Sequence, residues 1–241
     1  TESLLWSAPP FEDAARIMAL GSRDPSRDGR FGIDVRARDF LDLREQQRVF
    51  ERLGAFSHSR DVNVAGAGGM LESRLATSFS AGVFEQLRVR PVLGRTFGAD
   101  DERPGAEPVT VVSYRLWRER LGGASDVLGR ELRVHGTVRT IVGVLPDGFA
   151  FPRGVDLWLP LSVDSSASRA ADGPYYRVIG RLREGISPAQ GQAQVSTLAS
   201  RLDRRGTRGD TLPTLTAMPW GAAWRSYSGA ESVPALFVAL F

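Results

Sequence analysis

Val109-Thr110-Val111-Val112-Ser113-Tyr114-Arg115-Leu116-Trp117 is the stretch on which the fold turns. Four consecutive β-branched residues make a compact buried strand. Ser113 then offers its hydroxyl to the first free amides of a helix through Leu121, and Gly122-Gly123 ends that helix. A short helical turn is expected over Ser125 to Leu128. Glu131 to Val134 and Val138 to Val144 are two strands joined at His135-Gly136, where glycine supplies the positive φ of a tight hairpin. Phe149 to Pro152 and Asp156 to Leu161 follow as apolar, proline-punctuated extended segments.

Upstream, Ala14 to Ser22 reads as a short strand, and the Gly, Asp, Ser and Pro rich segment 23–32 as a loop. From Ala37 to Leu53 the pattern is helical, with Phe40, Leu43, Phe50 and Leu53 on one stripe and Gly54 as the stop. Phe56 to Val64 and Leu71 to Ser78 are strands separated by a Gly66-Ala67-Gly68-Gly69 turn, and a helix over Ser80 to Leu87 is capped by Ser80. Pro91 to Pro108 is mostly loop. Downstream, Ser162 to Gly173 is a small-residue linker and Tyr175 to Leu182 a strand. Ser187-Pro188 opens a helix through Asp203 with Ala189, Ala193, Val195, Leu198 and Leu202 on its apolar side. Thr211 to Met218 is a final strand. The outer parts thus read β-α-β-β and β-α-β around a β-rich middle, an α+β pattern with an inserted subdomain.

With 241 residues, 42% of them hydrophobic and 24% charged, the chain is globular rather than disordered, as one large domain or two small ones. Cysteine is absent, which excludes disulfide scaffolds and thiol chemistry and leaves the compartment open. All 31 basic residues are arginine, so the sequence pI of 9.9 accompanies a net charge of only +3. Acids and arginines are interspersed, which describes a solvated mixed surface and not a nucleic-acid face.

The residues that carry chemistry elsewhere are sparse. His58 and His135 lie in different predicted subdomains without metal-ligand spacing, and read as surface or packing residues. Asp100-Asp101-Glu102 lacks the spaced ligands of a calcium loop and reads as solvated, between Arg95 and Arg103. Gly66 to Gly69 is not followed by Lys-Ser or Lys-Thr, and no Gly-x-Ser-x-Gly elbow exists. A spatially assembled carboxylate pair stays open, with nothing in the sequence pointing to one. Tyr114, Trp117, Phe149, Phe151 and Trp158 suit either a core or a ligand cleft, the core being favoured by their spacing. Trp6, Trp220 and Trp224 lie near the two ends, where tryptophan suits a membrane interface. The run Val233 to Phe241 is apolar throughout, as a C-terminal core strand or as the first half of a transmembrane helix, the second being favoured. No catalytic, cofactor or metal-binding residue is nominated.

In order and spacing, several of these motifs resemble one family. They are the opening run 109–117, Gly122-Gly123, Val127-Leu128-Gly129-Arg130, Leu132-Arg133-Val134-His135-Gly136 and Ile141-Val142-Gly143-Val144-Leu145-Pro146. Gly148-Phe149-x-Phe151-Pro152 and Asp156-Leu157-Trp158-Leu159-Pro160-Leu161 continue the series. Upstream stand Asp39-Phe40-Leu41-Asp42-Leu43-Arg44, Val49-Phe50-Glu51-x-Leu53 and Val83-Phe84-x-x-Leu87-x-Val89-x-Pro91-x-Leu93-Gly94-Arg95-x-Phe97. Downstream stands Arg177-Val178-Ile179-Gly180-Arg181-Leu182-Arg183-x-Gly185-Ile186-Ser187. Together they are similar to the MacB-like periplasmic core domain of FtsX-like ABC transporter permeases, in the style of acidobacterial orphan permeases. His135 departs from the asparagine usual before the hairpin glycine, and both residues tolerate a turn.

The resemblance implies porter-like β-α-β units from both chain ends with an inserted β-rich sabre-like subdomain. On that basis residues 1–85 and 170–228 form the two parts of the porter-like subdomain, 86–169 the sabre-like one, and 229–241 the start of a transmembrane helix. It further implies an extracytoplasmic, non-catalytic domain at the bacterial inner membrane. That domain couples cytoplasmic ATP hydrolysis to conformational work on a substrate or partner (mechanotransmission, export or efflux). Implied partners are an ABC ATPase subunit or domain, a second permease copy or half, the membrane through flanking helices, and a periplasmic adaptor or outer-membrane channel. No nucleic acid and no cofactor are implied. The alternative is a free-standing secreted module that binds a ligand or peptide.

Overall fold

A computed structural model describes residues 12–23, 31–65, 71–149, 151–163, 166, 170, 173–203 and 214–227. Its strands are β1 (Ile17–Arg23), β2 (Phe31–Gly32), β3 (Asp34–Arg36), β4 (Phe50–Phe56), β5 (Arg60–Ala65), β6 (Leu71–Phe79), β7 (Leu93–Gly94), β8 (Val109–Val112), β9 (Glu131–Val134), β10 (Thr137–Val144), β11 (Leu157–Pro160), β12 (Tyr175–Leu182) and β13 (Thr214–Pro219). Its α-helices are α1 (Ala37–Gln46), α2 (Ala81–Leu87), α3 (Tyr114–Arg120), α4 (Pro188–Asp203) and α5 (Trp220–Tyr227). The architecture is α+β, as expected.

Four strands from the two outer parts form an antiparallel sheet in the order β4-β12-β1-β13. The β1-α1-β4 and β12-α4-β13 units interlock, because β12 lies between β1 and β4. This is the split β-α-β arrangement. Successive residues of β1 face opposite sides. Met18 and Leu20 join Phe40, Leu43, Val195 and Leu198 under α1 and α4. Ile17 and Ala19 join Val83, Phe84, Leu87 and Trp220 beneath α2 and α5. With both faces covered, all four of these β1 residues are buried, and each large apolar side chain contributes about 2 kcal/mol by leaving water.

The second body is a closed ring of six strands. β5 pairs with β6 from Arg60↔Ala76 to Ala65↔Leu71. β6 pairs in parallel with β11, and β11 pairs with β8. β8 runs parallel to β10, and β10 forms the hairpin with β9. Val64↔Val134 closes the circuit between β5 and β9. Val62, Ala76, Val112, Leu132, Val134, Ile141 and Leu157 fill the same cluster with Leu116 of α3. Closure leaves these strands few free edges. The ring draws on residues 60–79 as well as on 109–160.

The middle follows its local chemistry closely. Ser113 Oγ accepts the Leu116 amide at 3.0 Å, and His135 (φ 49°) with Gly136 (φ 84°) makes the hairpin turn. Other expectations are corrected. The first helix ends at Gln46 and not at Leu53, because the Gln47 backbone is extended and its Oε1 accepts the Phe50 amide at 2.8 Å. Phe50 and Leu53 belong to β4. Gly54 therefore is no helix stop; it lies in mid-strand, where a Cβ would stand 2.8 Å from Val83 Cγ2. The strand expected over Phe56 to Val64 is interrupted at 57–59. Ser125 to Leu128 forms turns without helix. Ser80 occupies the N-cap position of α2, but its Oγ accepts the Ala55 amide at 2.9 Å, and Glu102 instead accepts the Ala81 amide. The Gly66 to Gly69 turn, most of the 162–173 linker, residues 211–213 of the last strand and the 229–241 tail lie outside the described residues.

Candidate functional site

Between sheet and ring the chain builds a continuous aromatic joint. Phe79, at the end of β6, opposes Phe56 of β4 in the only residue pair that β4 and β6 share. Its ring lies 5.6 Å from Phe56, 5.0 Å from Phe84, 6.1 Å from Phe151 and 6.5 Å from Trp158. Phe151 extends the chain of contacts to Trp220 of α5 at 5.3 Å, and Phe149 packs on Trp158 at 5.7 Å. Trp158 has no exposed surface, and its indole N–H donates to the Phe151 carbonyl at 3.0 Å. These aromatics are buried in the core, and of them Phe149 also edges a cleft of about 340 Å³ beside Tyr114, Arg115 and Asp156. Trp220 is part of the joint and not an interfacial residue; the side chains of Trp6 and Trp224 lie outside the description. Tyr114 and Trp117 stack edge-on at 5.2 Å beside the ring, with Trp117 Nε1 donating to the Ala124 carbonyl.

A polar contact spans the same joint at the surface. His58 sits in the crossing 57–59 that carries the chain from β4 into β5. Its Nε2 lies 2.8 Å from Asp34 Oδ1 and its Nδ1 3.1 Å from the Arg177 guanidinium. Asp34 and Arg177 are themselves cross-strand partners of β3 and β12. His58 thus contacts two strands of the sheet unit from the segment leading to the ring. His135 stays in its turn, far along the chain from any such partner.

The entry of the chain into the sheet has its own anchor. Arg181 of β12 is fully buried. Its guanidinium donates to the carbonyls of Gln86 at 2.8 Å, Asp13 at 3.0 Å and Glu12 at 2.7 Å. Burial, then the nearby Arg88 charge, holds Arg181 below the usual arginine range. Arg16 adds a bond from Nε to the Leu182 carbonyl at 2.9 Å and an ion pair to Glu51 at 2.6 Å.

The acidic cluster is not simply solvated. Asp101 receives both terminal nitrogens of Arg95 at 2.6 and 2.9 Å and the Gly98 amide at 2.7 Å. The Arg95 hydrogen bonds hold its carboxyl below the usual carboxylate range. Only Asp100, paired with Arg103, stays at the surface as expected. On the ring, buried Asp156 accepts Ser113 Oγ at 2.7 Å and Arg115 at 2.8 Å. Among the described residues no group of three or more histidine, aspartate or glutamate side chains is placed to hold a metal. A cleft of about 550 Å³ opens between α1, β4 and α2, lined by Arg44, Glu51, Arg52, Glu102 and Arg103. Its two acids serve structural partners, Arg16 and the Ala81 amide. What these residues build is a joint and an anchor.

Sequence and structure comparisons give the family and the fold. The family model described as MacB-like periplasmic core domain matches residues 5–198. A domain of a putative permease protein from Porphyromonas gingivalis superposes with a TM-score of 0.66 at 17% identity, over 87% of this chain and 93% of that one. The periplasmic region of MacB from Actinobacillus actinomycetemcomitans gives 0.63 at 13%, over 95% and 97%. The extracellular domain of the noncanonic ABC-type transporter YknZ from Gram-positive bacteria gives 0.59 at 15%, over 84% and 99%. No curated protein sequence matches the chain. The chain belongs to the MacB-like periplasmic core domain family.

Proposed function

We propose that this domain is the extracytoplasmic part of an ABC transporter permease at the bacterial inner membrane. There it transmits motion driven by ATP hydrolysis on the cytoplasmic side to a substrate or partner outside. The observation that carries this reading is the pairing of β1 with β13, which sets Met18 opposite Pro219. The chain therefore enters and leaves the sheet unit side by side, at the same end. In sequence the ring is inserted between β4 and β12, away from both flanks. A force applied through the two flanks acts first on the sheet, and among the described residues it reaches the ring through contacts that include the Phe79 joint, the crossing at His58 and the β7–β10 pairing. In this reading the moving arm is the ring built from residues 60–79 and 109–160, while α2 stays with the sheet. No described helix is long and apolar enough to cross a membrane, so the spans belong to flanking sequence in this reading. The ATPase partner, a second permease copy or half, and an adaptor or outer-membrane channel are further parts of the same proposal. No group described above supports covalent chemistry by the domain itself. The burial of Phe56, Phe79, Phe84 and Trp158 weighs against a free-standing module that binds a ligand through those rings.

Because this domain has no cysteine, labels placed in it meet no native thiol of its own. Arg133→Cys on the ring and Glu184→Cys after β12 report the distance between the two bodies. In the full permease with its ATPase in nanodiscs, ATP turnover shifts the distance distribution relative to the ADP state. An unchanged distribution during measured ATP hydrolysis would overturn the proposal.

A further inference from the structure

His58 is one of only two histidines, and it occupies the crossing between the two bodies. Its ring nitrogens are engaged by groups of opposite demand. Arg177 has donors only, so it bonds Nδ1 only while that nitrogen carries a lone pair. Asp34, when ionised, has acceptors only, so Nε2 must carry the hydrogen. The two contacts together select the neutral Nε2–H tautomer, an assignment made from the network.

A second proton cannot be added without breaking one contact. It must go to Nδ1, where it turns an acceptor into a donor facing the Arg177 guanidinium, now cation against cation. The Asp34 contact survives and gains charge. The charged groups facing His58 are Asp34 from β3 and Arg177 from β12, while Arg60 follows two positions later as β5 begins. The side chains of His58 and Asp34 are half exposed, so protons reach the site without any opening of the fold.

We propose that His58 is a proton-operated latch on the joint: neutral, it fastens the 57–59 crossing to β3 and β12 together; protonated, it lets go of β12 and stays with Asp34 alone. The release frees one side of the crossing and changes the range of angles the ring adopts against the sheet. Histidine as a residue type is the side chain whose unperturbed charge change falls nearest to neutral pH. The latch operates in the joint itself, whether or not ATP drives it. If the domain faces outside the inner membrane, as proposed above, its protonation follows the surrounding medium.

The test uses the full permease carrying the Arg133→Cys and Glu184→Cys spin labels, without nucleotide, titrated from about pH 8 to about pH 5. The ring–sheet distance distribution is expected to broaden in a single one-proton transition. The His58 nitrogen shifts, measured with His135 as internal reference, should show the Nε2–H tautomer at the alkaline end and titrate with the same midpoint. His58→Gln, which stays neutral, should remove the transition and leave ATP-driven distance changes in place. Three results would each overturn the latch: a pH-independent distance, a transition that persists in His58→Gln, or an Nδ1–H tautomer at alkaline pH. Failure of the transport reading shows separately, as the absence of an ATP-driven change in either protein.

Discussion

Gln86 grips Arg181 twice: its side-chain Oε1 accepts the Arg181 backbone amide at 2.7 Å, and its own carbonyl accepts Arg181 Nε at 2.8 Å. Both residues are buried. The pair joins the last turn of α2 to the middle of the sheet, while the outer guanidinium nitrogens tie down Glu12 and Asp13. Arg181→Met should therefore cost about 2–4 kcal/mol, because three carbonyls lose donors at a site largely closed to water. Arg181→Lys should recover little of it, since one ammonium cannot reproduce a fork aimed at three separate oxygens. Urea unfolding curves of the two variants measure this directly.

Gly54 decides how closely α2 approaches β4. A Cβ there would lie 2.8 Å from Val83 Cγ2, 2.9 Å from Val83 N and 3.0 Å from Val83 Cα. Gly54→Ala is expected to destabilise by about 1–3 kcal/mol through overpacking. Adding Val83→Ala should restore only part of this, because two of the three close atoms are backbone. Full restoration in thermal melts would place the clash in the side chain alone.

Phe79 is the shared member of the aromatic joint. Truncation to alanine should cost about 3–5 kcal/mol and uncouple the two bodies. Calorimetry is expected to resolve two unfolding transitions in Phe79→Ala where the parent shows one. Val134→Ala, inside the ring, should weaken the ring and leave the joint intact. A single sharpened transition in Phe79→Ala would show that the bodies are coupled elsewhere.

Asp101 links stability to acid. Its carboxyl is held below the usual range in the folded state, first by Arg95 and also by the Gly98 amide. A depressed carboxylate contributes stability above its unfolded value, about 4, and that contribution disappears as pH falls through the folded value. Asp101→Asn should thus lower stability by about 1–2 kcal/mol at neutral pH, with the gap to the parent closing toward strongly acidic pH. Unfolding midpoints across that range test the sign. A constant gap would assign the loss to packing.

Local chemistry was enough for the elements whose signals lie within a few residues. Val109 to Val112, the Ser113 cap, the His135-Gly136 turn and the Ser187 cap, whose Oγ accepts the Gln190 amide at 3.3 Å, all follow from neighbours in sequence. The β-rich middle and the family resemblance were legible in the same way, but the last two strands of the front β-α-β-β part, β5 and β6, pair into the ring. The stripe Phe40, Leu43, Phe50, Leu53 was misleading, because spacings of three and seven suit a helix while the last two residues also suit a strand. The helix ends early because Gln47 accepts the Phe50 amide and Gln194 of α4 accepts the amides of Arg48 and Val49.

Tertiary structure alone decided the rest. The ring exists because Val64 meets Val134 and β6 meets β11, contacts across about seventy to eighty residues that no periodicity encodes. The interlocking of β12 between β1 and β4 depends on the return of the chain after the whole ring is made. Asp101 and His58 read as ordinary polar residues and Arg181 as one member of a strand motif, since a polar side chain takes its role from its partners. Those partners, from α2, the 98–101 turn, β3 and β12, are brought to it by packing and not by proximity in sequence.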